Sequence, residues 1–283
     1  MALSQSDFTA TFSQMFADIF LLRYQARQRL RGVVREIHGL VGDAYKLKYM
    51  DKIQMQQHGA FNANIPSTPV TTTAPTISFS DWELKTSIDE FEQLNFNADA
   101  LRGFAMDHAD AIGRREDQFI IDALDTGATK TVAAGGDDMT IDKIKDAQKQ
   151  LAEDEVDGDE LFLIMHANNY NSLLGQIEFV NNLYTDVKPF ASSQPLVGFK
   201  GKFLDFNLIV LGDRAEGGLQ IAANIRDTYA FAKNSTTLGY RKDPETRMIP
   251  VEQEARTETL SLLSAGAVVG DARGVVKIFC DES

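Results

Sequence analysis

Apolar positions along this chain change period several times, and each change predicts a different element. Phe8, Phe12, Met15, Phe16, Ile19 and Phe20 recur at three- and four-residue spacing, the stripe of an amphipathic helix. Ser6 or Asp7 offers the cap for its start. Either it packs on its own domain or it is an arm for a neighbouring chain; the arginines that follow (Arg23, Arg27, Arg29, Arg31, Arg35) favour the arm. Between 42 and 76 the period falls to two. Tyr45, Leu47 and Tyr49 alternate with Lys46 and Lys48, as in a strand. A polar tip follows from Gln54 to Ser67, then Pro66, Pro69, Pro75 and the run Val70-Thr71-Thr72-Thr73. Three prolines bar the return from a central strand. The pattern predicts a long two-stranded hairpin with a mobile tip, and a lone hairpin is marginal without a partner surface. The competing account is a disordered surface loop.

A strand is predicted over Phe79–Glu92, with Trp82, Leu84, Thr86 and Ile88 on one face. From Asn97 to Asp125, Leu101, Phe104, Ala105, His108, Ile112, Phe119, Ile120, Ala123 and Leu124 form the strongest helical stripe in the sequence. Asn97 caps it, Asp99 suits its positive end and Gly127 stops it; the span is about 40 Å. After Gly135-Gly136, Thr140 caps a second helix with Ile141, Ile144, Ala147, Gln148 and Leu151 inward. The acidic turn Glu153–Glu160 leads into Leu161–Met165, an apolar run typical of a buried strand. Asn168 caps a short helix to Leu174, ended by Gly175, and 176–200 is loop-rich. Strands are expected at 208–211, 219–223, 228–232, 247–256, 258–269 and 275–280, punctuated by Gly266, Gly270 and Gly274. The class is α+β.

Composition narrows the function. Of 283 residues, 43% are apolar and 18 are Phe, which excludes global disorder. The net charge of −13 argues against a conventional nucleic-acid binder. It is uneven: residues 1–60 hold 8 basic and 5 acidic side chains, which leaves −16 on the remainder. Cys280 is the single cysteine, so an internal disulfide is impossible and a reducing compartment fits. The early apolar stretch is broken by Thr9, Ser13, Gln14 and Asp18 and cannot span a bilayer, so a soluble, intracellularly made protein is expected. No phosphate-cradling glycine loop is present. His38, His58, His108 and His166 lack metal-ligand spacing, and His108, on the long stripe, reads as a packed core histidine. Glu153–Gly158 resembles a calcium loop, yet its twelfth position is Ile164, where a bidentate Glu is required. Cys280 sits in an apolar strand as a buried thiol. No enzyme, cofactor or metal site emerges.

The order of parts — helical arm, lysine-bearing hairpin, very long helix, α/β middle, long β return — resembles the major capsid protein of tailed bacteriophages, the Hong Kong 97-type capsid fold. Soft motifs support the likeness: Thr140-Ile141-Asp142-Lys143-Ile144 through Leu151, Leu161 to Leu174, and Leu262 to Asp271 with Gly274-Val275-Val276. The resemblance implies an N-terminal arm over 1–41, an extended loop over 42–76, a peripheral domain from 77–129 and 236–283 with spine helix 97–125, and an axial domain over 130–235. It implies hexamers and pentamers of this chain in an icosahedral shell, enclosing double-stranded DNA without sequence-specific binding or a membrane, assembled in a bacterial cytoplasm. Phe12, Phe16, Arg27, Lys46, Lys48, Lys52, Phe61, Arg241, Asp243, Glu245 and Arg247 are the expected inter-subunit contacts, and Gly127, Gly135 and Gly136 the expected hinges. Some relatives cross-link a loop Lys to an Asn in a three-fold turn, assisted by a Glu. The turn expected at Arg241–Met248 holds no Asn, so non-covalent shells are expected despite Lys46, Lys48, Lys52 and Glu254. Because the chain starts almost at the arm, a separate scaffolding protein is expected, with a portal; a decoration protein stays open. The alternatives are an encapsulin-like nanocompartment shell and a soluble α/β enzyme.

Overall fold

A computed structural model describes residues 27–50, 52–55, 57, 67–89, 98–156, 160–176 and 199–283. The stripe from Phe8 to Phe20, Phe61, the cap Asn97 and part of the acidic turn lie outside them. In chain order the strands are β1 (Arg35–Ile37), β2 (Ala44–Lys46), β3 (Tyr49–Met50), β4 (Thr72–Thr73), β5 (Thr76–Ser78), β6 (Ser80–Asp89), β7 (Lys130–Val132), β8 (Leu161–His166), β9 (Phe199–Phe203), β10 (Phe206–Leu211), β11 (Ile221–Ala222), β12 (Ile225–Ala232), β13 (Thr236–Val251), β14 (Arg256–Val269) and β15 (Val275–Asp281). The helices are α1 (Ala98–Gly127), α2 (Ile141–Glu153) and α3 (Ala167–Leu174).

A seven-stranded sheet ordered β7-β15-β12-β8-β10-β9, with β11 on β12, occupies the middle. The continuous apolar run of β8 is explained by burial of both its faces. Leu161, Leu163 and Met165 face one core with Ile144, Ala147 and Leu151 of α2. Phe162 and Ile164 face a second core with Ile120, Ile121 and Leu124 of α1 and Leu238, Tyr240 and Leu263 of a second sheet. That sheet is four-stranded, β1-β13-β14-β6. β15 closes the chain inside the first sheet, paired with β12 and β7. The expected peripheral segment 236–283 is therefore shared between both sheets, with 275–281 in the sheet built by residues 130–232.

Local chemistry sets the helix ends. Thr140 caps α2, its Oγ1 accepting from the Lys143 N–H at 3.3 Å. α3 differs from expectation: its cap is His166, whose Nδ1 accepts from the Asn168 N–H at 3.3 Å, while the His166 N–H donates to the Asn169 side chain at 3.1 Å. An imidazole nitrogen can do what an Asn oxygen does at this position. α1 rises about 45 Å over its 30 residues. No helix among the described residues is long and apolar enough to cross a membrane.

The return also corrects the sequence reading. Residues 241–248 are not a turn but part of the 16-residue strand β13. The chain reverses instead at Glu252–Glu254, where Ala255 takes a left-handed φ of 44°. The ladder to β14 slips between Tyr240 and Lys242 and again between Lys242 and Glu245. Those slips absorb Pro244, which has no N–H to give; bulges and edges are where sheets tolerate proline. β1 pairs with β13 only at Thr237–Gly239, so Pro250 sits where β13 is an edge.

Candidate assembly surfaces

The hairpin is present in the described residues as a thin ribbon. β2 pairs with β5 and β3 with β4, both antiparallel. The Leu47 N–H donates to the Pro75 carbonyl at 2.9 Å between the two ladders, so one register runs through both. Among the described residues of the hairpin only the stem is buried: Leu47 is 7% and Ile77 0% exposed. Beyond it, apolar side chains face water, with Met50 at 76%, Ile53 at 59% and Met55 at 101% exposure. Lys46 and Lys48 are exposed. Lys52 reaches Glu155, after α2, at 2.7 Å, and that hydrogen bond draws the Glu155 carboxyl below its ordinary range.

Glycines seat the stem. A Cβ at Gly266 would collide with the Ser78 carbonyl oxygen, and one at Gly270 with the Tyr49 hydroxyl. One at Gly239 would press on Leu40 and Ile77. Sequence reading took Gly266 and Gly270 as punctuation and did not single out Gly239. The available signal was the small-residue run Ser264-Ala265-Gly266-Ala267 inside an apolar strand, which marks a backbone passing closely overhead.

Arg241 locks the same stem. Its guanidinium meets Asp43 at 3.1 Å and Asp81 at 2.6 Å, and its Nε donates to the Ser264 Oγ at 3.0 Å. The Ser264 hydrogen bond first, then Arg241, hold the Asp81 carboxyl below its usual range. Arg241, expected to face a neighbour, is thus engaged within its own subunit. Asp243 pairs with His38 at 2.7 Å, and His38 stacks on Tyr240 with ring centroids 4.7 Å apart. Glu245 pairs with Lys242 at 3.0 Å, which lowers its pKa. Arg247 is exposed. These four line one bulged strand, while Lys46 and Lys48 lie on the hairpin, so the structure gathers the expected contacts into two places rather than one.

The N-terminal segment leaves from a fixed root, which sequence reading missed. Asp117, fully buried on α1, accepts from the Arg29 and Leu30 N–H groups and from Arg214, each at 3.0 Å. Burial pushes its carboxyl up, against those donors. Gln28 donates to buried Glu116, whose pKa burial also raises, and Arg214 holds the Arg27 carbonyl at 3.2 Å. Of the expected hinges, Gly135 and Gly136 have φ of 66° and 82° with open space around them. Gly127 is different: a Cβ there would strike Val269, so close packing accounts for it.

Chemistry-bearing groups serve the fold. His108, 2% exposed, bonds Thr86 at 2.9 Å and Ser261 at 2.8 Å, the expected core histidine. His166 caps α3 beside Glu282, which pairs with Arg226 at 2.7 Å. Asn169 ties Glu282 at 3.1 Å to Asp138 at 2.6 Å, so the network pins the last residues to the central sheet. Cys280 is buried and its thiol is pushed up to about 12 by burial. Among the described residues, no three His, Cys, Asp or Glu side chains gather as metal ligands.

Comparison with known proteins places this architecture. The profile of the family described as phage capsid protein matches residues 8–282. A cyanophage P-SCSP1u capsid structure is similar with a TM-score of 0.71, 11% identity, and 95% of this chain and 92% of that one covered. The capsid of Ralstonia phage GP4 follows at 0.69, 9% identity and 93% of both chains. A structure from Mycobacterium phage Adephagia gives 0.68, 13% identity and 98% of both. A comparison with curated protein sequences gave no match.

Proposed function

The chain belongs to the phage capsid protein family, and from that premise we propose that it is the subunit of an icosahedral head built from hexamers and pentamers around double-stranded DNA. The observation that carries this reading is the finger: a stem fixed by Arg241 and the glycine seat bears Met50, Ile53 and Met55 into solvent. Exposed apolar side chains grouped in this way mark an interaction site. Laid across a neighbour, the finger and the N-terminal segment become buried area of the obligate kind, beyond ~2,000 Å².

The four-stranded sheet with α1 forms the peripheral domain in this reading. The axial domain comprises 130–235 completed by β15, and the left-handed pair Gly135-Gly136 provides a bend within it, between β7 and α2. The acidity outside residues 1–60 keeps the wall from gripping DNA phosphates, and the arginines after Tyr24 offset it locally. The role is structural rather than enzymatic. A separate scaffolding protein and a portal complete assembly in the bacterial cytoplasm, and the shell is non-covalent because neither 241–248 nor the observed reversal at 252–255 holds an Asn. Denaturing gels of mature shells are expected to show a single monomer band; a ladder contradicts the last point.

Electron microscopy of the chain expressed with its scaffold tests the reading as a whole. Closed shells with five- and six-fold clusters are expected. Monomers at high concentration overturn it, and shells holding a cargo enzyme and no genome favour the nanocompartment alternative.

A further inference from the structure

The C-terminal end of α2 carries an acid where a glycine is favoured. The Val156 N–H donates to the Leu151 carbonyl at 3.1 Å and the Glu155 N–H to the Ala152 carbonyl at 3.0 Å, while Val156 packs on the core that Leu151 enters. This pair of closing bonds puts Glu155 where the backbone must turn left-handed, the place usually taken by glycine, and its φ is 60°. The other left-handed non-glycine residues among those described are Leu204, Asp205, Ala223, Asn224 and Ala255. All of them lie in reversals between paired strands. Glu155 is the exception at a helix end.

What its side chain does there is meet the finger. The carboxylate accepts from Lys52 Nζ at 2.7 Å, with both side chains more than half exposed. An exposed pair adds little to stability, less than a left-handed side chain gives up against glycine, so the stability of the subunit does not account for Glu155. Geometry does. The finger's other fixings are Arg241 on Asp43, the glycine seat under Ile77 and Ser78, and Tyr49 over Gly270. These reach no further out than Tyr49 and come from β13, β14 and the residue after it. The described ladder ends at the Met50–Thr72 pair, and a two-stranded ribbon is marginal by itself. Lys52 lies beyond that pair, and its partner hangs from α2, which packs on the seven-stranded sheet. Two supports on different sheets fix a direction that one cannot. We propose that Glu155 is a positioning residue for assembly: through Lys52 it sets the angle at which the finger leaves the subunit. The inference rests on the shell reading above and deepens it, since Lys52 then works inside its own subunit rather than as a contact to a neighbour.

The test uses the full chain expressed with its scaffold. Glu155→Gly suits the backbone better and removes the carboxylate, so the unfolding midpoint should hold or rise while shell yield falls severalfold. Glu155→Gln, which keeps the side-chain length, should lose yield likewise. Reversing both charges, Lys52→Glu with Glu155→Lys, should restore it. In unassembled subunits, spin labels on Ile53→Cys and Lys149→Cys, both at exposed positions with Cys280 buried, should report one narrow distance. That distance should broaden in Glu155→Gly and narrow again in the charge-reversed pair. Loss of an exposed pair shifts a population by up to about fivefold, which a distance distribution resolves. Glu155→Gly shells at the native yield overturn the inference, and so do equal distance distributions with and without the carboxylate. A loss of yield that the reversed pair does not restore overturns it too, since Glu155 then serves only the helix end. If the native chain forms no shells, the shell reading fails and the inference falls with it; in a chain that assembles, a missing tie shows in the subunit distances alone.

Discussion

β8 and the hairpin limb of β2 and β3 are both short extended segments, yet they meet opposite fates. Every residue of β8 is buried, because its two faces feed two cores. The hairpin limb buries Leu47 and then sends Met50, Ile53 and Met55 outward. Both segments carry apolar side chains; only one has somewhere inside the subunit to put them. Burial is thus set by what the topology supplies on each side of a strand, and the finger's apolar content is stabilising only when a further surface is brought to it.

Substitutions at the two places should separate sharply. Phe162→Ala empties a buried ring site in β8 and is expected to cost about 3–5 kcal/mol in denaturant unfolding. Met55→Ser, by contrast, should leave subunit stability within about 0.5 kcal/mol while reducing shell yield. Comparable unfolding costs for both would erase the distinction. Gly266→Ala falls between them: its Cβ meets the Ser78 carbonyl, and shifting the stem should cost about 1–3 kcal/mol, with faster hydrogen exchange in 44–50 and unchanged exchange in β8.

Acid should produce the smallest effect, and one confined to the finger. The Asp81 pKa is lowered, by Ser264 and then Arg241. Its contribution is therefore present above the unfolded value near pH 4 and is lost as pH falls through the folded value. Glu116 is raised by burial, so its contribution is present below its unfolded pKa and is lost as pH rises through the folded one. Lowering the pH from about 6 to about 3 should then speed exchange in the stem more than at the α1 root. Asp81→Asn should remove most of that difference, and its persistence in the variant would place the acid response elsewhere.

Much of this was legible in the sequence where a single segment decides its own structure. The 97–125 stripe located α1 to within two residues, and the alternation at Tyr45–Tyr49 located the hairpin. Segments whose meaning depends on a distant partner were not legible. Asp243-Pro244-Glu245 reads as a turn, and becomes a bulge only because β14 runs alongside. Arg241 looks outward until Asp43 and Asp81 are brought to it. Asp117 is one acid among 41 until the backbone at Arg29 and Leu30 arrives. Of the expected contacts, Phe12, Phe16 and Phe61 lie outside the described residues.

Oxidative footprinting of Met50 and Met55, compared between unassembled subunits and closed shells, tests the central claim most directly. With Met55 fully exposed in the subunit, the account predicts rapid oxidation before assembly and strong protection of both methionines afterwards. Equal oxidation of both in the finished shell would contradict it, because the finger would then have no sister subunit beneath it.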